Sequence, residues 1–414
     1  MLAKLALNSL IDRKGSVMLS LMAMTVSVFV LLGVEHIRHQ TKENFSSSVS
    51  GVDLIVGART GSLNLLLYSV FRIGNPTNNI RWDTYKDISN SEKVKWAIPI
   101  SLGDSHKGYR VLGTTKSYFQ HFSYGKKNPL AFSDGQEFDQ VFDVVLGSEV
   151  AKKLGYTLGD RVALAHGIAK TSFSVHDDRP FTVVGILKAT GTPVDQTLHV
   201  SLQGIEAIHI DWQHGVKVSK GKLTQSDLEQ AELQPKSITA FMLGLNSKIA
   251  TFQVQRTINK YTPEPVVAIL PGVALSELWG MISILENTLL LVSALIFIAA
   301  CLGVSAMLLA SMRERRREIQ LLRIIGAPPY ILFLLIQLEA LLITLLSFFL
   351  GAGLLAGSLA VLRDYLVSNY GLHIEINLLS DNSLYLVAAL LAASTIVATI
   401  PSFSGYRKAR TISY

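Results

Sequence analysis

The run NTLLLVSALIFIAACLGVSAMLLAS (residues 287–311), followed without interruption by MRERRREIQLLRIIGAPP (residues 312–329), decides the fold. The first part holds 25 residues and no charged side chain, whereas the second brings Arg313, Arg315, Arg316, Arg317 and Arg323. A helix crossing a bilayer needs about 20 consecutive apolar residues, and a basic flank of this kind marks its cytoplasmic end. Working outward, residues 17–34, 340–362 and 382–406 are also free of charge, over 18, 23 and 25 residues. The chain of 414 residues is 49% hydrophobic and only 17% charged. Outside the four charge-free stretches, however, the remaining 323 residues share all 69 charged side chains, about 21%, close to an ordinary globular value. Two solvents are therefore averaged in one composition. A soluble enzyme, a disordered chain and a disulfide-built secreted domain are excluded, the last because the single cysteine, Cys301, lies within an apolar run.

The net charge of +7 reads as topology. Lys4, Arg13 and Lys14 precede the first span, the arginines of the 312–330 loop separate the second from the third, and Arg407, Lys408 and Arg410 follow the fourth. The loop between the third and fourth spans has Arg363 against Asp364, Glu375 and Asp381. The positive-inside rule predicts cytoplasmic termini and a cytoplasmic 312–330 loop, in a multi-pass protein of the inner (plasma) membrane. No basic patch interleaved with aromatics supports a nucleic-acid partner. The first apolar run exceeds a signal-peptide core and no A-x-A site follows it, which predicts a retained anchor; cleavage would leave three spans.

The expected fold class is an α-helical membrane protein with four transmembrane helices and a large α+β extracytoplasmic domain between the first two. Residues 1–34 form the N-terminus and first helix, and 35–277 the α+β domain. Residues 278–311 make a stalk and the second helix, 312–330 a cytoplasmic segment, 331–362 the third helix, 363–381 a short outer loop, and 382–414 the fourth helix and C-terminus. Strands are predicted at 53–56, 142–146, 161–164, 181–187 (FTVVGIL), 197–202 and 237–245, rich in β-branched and aromatic residues. Apolar periodicity predicts helices at 148–154 and 247–261, with Gly155 and Gly159-Asp160 as turn signals. Residues 276–285 are predicted to continue outward from the second span as one helix.

Residues 312–325 pair a basic half with Leu321, Leu322, Ile324 and Ile325, and Gly326, Pro328 and Pro329 follow as stop signals. Such a segment either lies against lipid headgroups or docks into a cytoplasmic partner. Glu318 beside the apolar face and the deliberate termination favour docking.

The run RERRREIQLLRIIGAPPYIL (residues 313–332), with Glu339 in IQLEALL, resembles the coupling segment of MacB-type (FtsX-like) ABC transporter permeases. LGSEVAKKLGYTLGDRVAL (146–164) followed by FTVVGIL resembles that family's extracytoplasmic domain, and ATIPSFSGYRKARTI (398–412) its C-terminal end. The order of one span, a large domain and three spans agrees as well. The resemblance implies a non-catalytic subunit that turns ATP-driven closure of cytoplasmic ATPases into movement of the outer domain. It implies a dimer, homo or hetero, with two ABC ATPase subunits that bind ATP and Mg²⁺, and an extracytoplasmic cargo or adaptor protein. On that resemblance Arg313, Arg317, Glu318, Leu321, Leu322, Ile325 and Gly326 would contact the ATPase. No G-x-x-x-x-G-K-[ST] loop occurs in the chain, so the ATPase is expected on another polypeptide.

Glu286 and Glu339 are the carboxylates nearest the span interiors, where an ionisable group is a functional candidate by default; with no second carboxylate to form a relay, structural pairing is expected. Small residues at Ala299 and Gly303, Gly353 and Gly357, and Ala388 and Ala392 either let helices approach closely or simply reflect membrane composition. His166, His176, His199, His209 and His214 crowd one stretch, interleaved with Asp177, Asp178, Asp195 and Asp211. A solvated polar surface and a zinc-type site at His176, His199, His209 and Asp211 are both open, since no fixed ligand spacing is met. The functional expectation is an ABC permease acting on a lipoprotein, peptide or other cargo. The alternatives are a regulator of an extracytoplasmic enzyme and a subunit of a zinc-linked transport system.

Overall fold

The computed structural model describes residues 2–167, 179–209, 212–213, 216–217, 233–314, 328–370 and 381–411. Its principal helices are α1 (Leu2–Asp12), α2 (Lys14–Ser47), α3 (Ser148–Leu154), α4 (Leu202–His209), α5 (Thr251–Asn259), α6 (Pro271–Glu314), α7 (Pro329–Tyr370) and α8 (Asp381–Thr411). The main sheet is built from β1 (Leu54–Ala58), β2 (Val94–His106), β3 (Tyr109–Thr114), β4 (Phe132–Gly135), β5 (Asp143–Leu146), β6 (Arg161–Val162), β7 (Ala165–His166), β8 (Phe181–Leu187), β9 (Thr197–Ser201), β10 (Ala240–Leu245) and β11 (Val266–Ile269). The chain divides into two compact units. One holds residues 42–282 and 365–373, and the other residues 1–41, 283–364 and 374–414.

The first unit is α+β. Its 11-stranded sheet runs β11-β1-β10-β2-β3-β9-β5-β8-β4, with β7 paired to β2 and β6 to β8. It is mixed: β9 lies parallel to β3 and β8 parallel to β5, and the other pairs are antiparallel. Alternation explains the layering, because successive side chains of a strand point to opposite faces. In β10 Ala240 and Met242 join one buried cluster, and Phe241, Leu243 and Leu245 join another. β5 behaves likewise, with Val145 on one face and Val144 and Leu146 on the other.

Two local devices complete the sheet. Edge strand β11 would present unpaired backbone groups, a template for unwanted pairing. α5 covers them: Gln255 Nε2 donates to the Ala268 carbonyl at 3.1 Å, and Asn259 Oδ1 accepts from the Ala268 N–H at 2.7 Å. At the centre, Gly244 stands opposite Trp96, and a Cβ there would lie 2.1 Å from the indole. α3 ends at Gly155 in the left-handed conformation (φ 69°) that an L side chain disfavours.

The expected strand 181–187 and helix 148–154 match β8 and α3 residue for residue. The strand expected at 237–245 is divided at Thr239, whose hydroxyl accepts the Leu102 N–H at 2.9 Å. The helix expected at 247–261 is shorter: a 3-10 turn, Lys248–Ala250, precedes α5. The strand expected at 161–164 stops at Val162. β2, β3 and β11 are not among the expected strands.

His199 lies in β9, fully buried, its ring 5.2 Å from Tyr118 and 6.0 Å from Phe119. Burial, aided by the charge of Arg72, pushes its pKa down to about 3.

The second unit is helical. Segments Lys14–Lys42, Pro271–Ala310, Pro329–Leu362 and Tyr385–Ser404 are long and apolar enough to cross a membrane. All four contribute to one core, which includes Met24, Val28, Phe297, Cys301, Ile336, Ile343, Leu390 and Ala398. α6 is helical without a break over 44 residues, about 66 Å at 1.5 Å per residue. The expected continuation of the second span through 276–285 is therefore present.

Two outcomes test these contacts. Gly244→Val should lower unfolding stability by about 1–3 kcal/mol, because the added carbons overlap the indole; thermal unfolding followed by tryptophan fluorescence would report it, and an unchanged midpoint would count against the packing. His199 stays neutral in the folded state to about pH 3, while an unfolded histidine takes a proton near pH 6.5. Unfolding then gains protons as pH falls, and this one residue costs up to about 1.4 kcal/mol per pH unit below 6.5. His199→Phe should flatten the stability loss between pH 6.5 and 5.5, and an unchanged slope would refute the assignment.

Candidate functional site

Glu339 is a carboxylate in the apolar helix α7 with only 2% of its surface exposed. An isolated ion there is costly, so it must be paired and hydrogen-bonded. The partners come from the other end of the sequence. Arg13, the residue between α1 and α2, donates from Nη2 to Glu339 Oε2 at 3.2 Å, and Ser9 Oγ in α1 donates to Glu339 Oε1. Arg13 also donates to Ser9 Oγ at 2.7 Å and, from Nε, to the Ser9 carbonyl at 3.3 Å. Each member orients the next. Removing one partner from such a buried pair typically costs about 3–5 kcal/mol.

The contact continues along both helices. Ser347 Oγ donates to the Leu21 carbonyl at 3.4 Å. A Cβ on Gly351 would lie 3.1 Å from Val28 Cγ1 and 3.2 Å from the Phe29 nitrogen and the Thr25 carbonyl oxygen. One on Gly33 would lie 3.6 Å from Leu355 Cδ1. Residue numbers rise together on the two sides, so α2 and α7 pack in parallel. Their first residues, Lys14 and Pro329, consequently lie at the same end of the bundle.

The other helices are joined by weaker polar contacts. Ser305 Oγ donates to the Val397 carbonyl at 3.3 Å, Gln337 Nε2 to the Thr395 carbonyl at 3.4 Å, and the hydroxyls of Thr344 and Ser394 are 2.6 Å apart.

Of the residues assigned to ATPase contact, Arg313 lies in the last turn of α6. Arg317, Glu318, Leu321, Leu322, Ile325 and Gly326 lie outside the described residues. Pro329 opens α7, where its fixed φ and missing N–H suit a helix start. Glu339 is in contact with Arg13, and Glu286 sits half-buried in α6. The close helix approach is at Gly351 and not at the small pairs singled out by spacing. Around Gly303, Gly353 and Gly357 a Cβ would meet open space, and Ala299, Ala388 and Ala392 are exposed. Spacing alone does not tell which face meets a neighbour.

The histidine-rich stretch separates. His199 belongs to the sheet core, against Tyr118 and Phe119. His209 ends α4 with Nε2 3.6 Å from Oδ1 of the buried Asp104. Burial pulls its pKa down, but the Asp104 carboxylate, with Glu206, outweighs this and the net direction is up. His176 and Asp211 lie outside the described residues. Among the described residues no three His, Cys, Asp or Glu side chains are grouped to hold a metal.

Ser9 and Arg13 are site residues that sequence reasoning misses. In the sequence Arg13 reads only as a topology charge, and its partner is 326 positions away.

Residues 17–261 match the family described as MacB-like periplasmic core domain, and residues 290–413 match the FtsX-like permease C-terminal family. A search of curated proteins finds no match. Among solved structures, the chain is similar to the periplasmic region of MacB from Actinobacillus actinomycetemcomitans at 11% identity, covering 56% of this chain and 94% of that one, with a TM-score of 0.34. It is also similar to the extracellular domain of the noncanonic ABC-type transporter YknZ from Gram-positive bacteria at 14% identity, covering 53% of this chain and 98% of that one, with a TM-score of 0.31. Two sequence families thus account in order for the α+β domain and for the helical unit that follows it, and the chain belongs to the MacB/FtsX-type family of ABC transporter permeases.

Proposed function

We propose that the chain is the transmembrane subunit of an ABC complex that transmits the motion of a separate, ATP-hydrolysing partner to the α+β domain. A dimer of the partner binds ATP and Mg²⁺, and two permease copies pair beside it. The 312–330 segment seats in the partner through Glu318, Leu321, Leu322 and Ile325, with Arg313 and Arg317 at its basic edge and Gly326 ending it. The termini and this segment face the cytoplasm, and the α+β domain faces outward to act on a lipoprotein, a peptide or an adaptor that handles them.

The observation that carries this reading is α6. It is unbroken from Pro271, directly after the last strand of the sheet, to Glu314, at the edge of the docking segment. Backbone hydrogen bonds along a helix resist axial compression, so a displacement applied at one end arrives at the other.

The test uses the chain co-expressed with its ATPase. Leu322→Asp places a charge on the docking face and Glu318→Lys reverses one; each should lower permease-dependent ATPase stimulation at least about tenfold, equivalent to about 1.4 kcal/mol of coupling, while membrane insertion stays intact. A Leu322→Asp chain that still co-purifies with a fully stimulated ATPase would overturn the docking assignment.

A further inference from the structure

We propose that Arg72, Arg110, Tyr118 and His199 form a binding site in the α+β domain for a phosphate group that keeps a P–OH, as inorganic phosphate or a phosphomonoester does. The four side chains run from surface to core. Arg72 and Arg110 are partly exposed, and Tyr118 and His199 are fully buried. They also act on one another. Arg72 acts on Tyr118, its charge reaches both His199 and Arg110, and the Tyr118 and His199 rings are 5.2 Å apart.

Two arginines thus share one region without a counter-ion. Among the described residues no carboxylate acts on either guanidinium, and burial lowers the pKa of each. Asp195, whose charge is felt at Tyr118, is already occupied: it accepts the N–H groups of Thr190 and Gly191 and the Thr190 hydroxyl at 2.8–3.0 Å. Arg72 Nη1 donates to the Ser69 carbonyl, but its buried Nε has no hydrogen-bond partner. Arg110 Nη2 donates to the Gly74 carbonyl at 2.6 Å and to Asn75 Oδ1 at 3.2 Å, both neutral acceptors. Charges placed this deep are ordinarily paired. The backbone is bent to put Arg72 there, since it caps the π-helical turn Leu67–Phe71 with a left-handed φ of 61°. Both π-turns and strained left-handed residues recur at functional sites.

His199 selects the ligand. Its Nδ1 lies 3.4 Å from the Val145 carbonyl, so Nδ1 carries the proton and the buried, unpartnered Nε2 is an acceptor. The Tyr118 hydroxyl, also buried, completes no hydrogen bond either. The cluster therefore offers charged donors at its outer end and a neutral acceptor at its inner end. Carboxylate and sulfate supply acceptors only. A hydrogenphosphate supplies oxygens for the arginines and Tyr118, and one P–OH for His199.

The experiment uses the full chain in phosphatidylcholine nanodiscs at neutral pH and constant ionic strength, with thermal unfolding followed by tryptophan fluorescence. Millimolar inorganic phosphate should raise the midpoint by at least about 2 °C. Sulfate, similar in shape but with no proton to give, should raise it by less than half as much. Dihexanoyl phosphatidic acid carries the monoester on a lipid and separates the sources. A shift from it alone assigns the site to a headgroup, from inorganic phosphate alone to the free ion, and from both to the shared monoester end. Arg72→Met should abolish the shift and leave the ligand-free midpoint at or above the parent's, because an apolar side chain replaces an unpaired buried charge. A merely structural arginine would instead lower that midpoint and leave the ligand response in place. Arg110→Gln, nearer the surface, should weaken binding at least about tenfold with the fold kept. The site is refuted if neither phosphate nor phosphatidic acid shifts the midpoint, if sulfate matches phosphate, or if both variants respond as the parent does. No ATPase enters the measurement, so its outcome is independent of the transmission reading.

Discussion

A carboxylate buried in a membrane helix must be matched in charge and hydrogen bonding, and this requirement at Glu339 organises the helical unit. Satisfying it draws Arg13 and Ser9 from the N-terminal helix onto the third span. With the polar end pinned, the remaining contacts fall into register: Leu21 with Ser347, Thr25 to Phe29 with Gly351, and Gly33 with Leu355. The parallel course of α2 and α7 follows, and with it the placement of the N-terminus at the same end as the segment before α7. Lipid offers no hydrophobic force between helices, so buried polar pairs and close packing supply both adhesion and register.

The α+β domain meets a different constraint. Its central strands are covered on both faces, so β10 and β5 are buried throughout, with alternate residues serving separate clusters. Room is made by subtraction, as at Gly244 beneath Trp96, and the exposed edge is closed by two amide side chains of α5.

Much of the layout is legible in the sequence, because charge-free runs of span length are rare outside membrane helices. Strand β8 and helix α3 are legible for a local reason: a seven-residue run with five β-branched or aromatic residues in one case, and a helical run ended by Gly155 in the other. β2 is not, since Pro99, Asp104, Ser105 and His106 break its apolar alternation and are nevertheless sheltered by neighbouring strands. The candidate site is half legible. Glu339 stands out as a charge in the wrong solvent, but Ser9 and Arg13 carry no local signal of their role. Spacing points to Gly353 and Gly357 rather than Gly351, because periodicity names a stripe and not the neighbour it faces. Closeness in sequence groups His199 with His209, whereas β9 turns the first into the core and α4 carries the second to Asp104.

The central claim is that the contact of Ser9 and Arg13 with Glu339, continued by Ser347 and Gly351, fixes α2 against α7. Spin labels at Ile37 and Val361, both exposed near the far ends of these helices, would test it by pulsed distance measurement in the nucleotide-free and ATP-trapped complex. The account predicts one distance distribution common to both states. A shift of about one helical turn, roughly 5 Å, between the two states would contradict it.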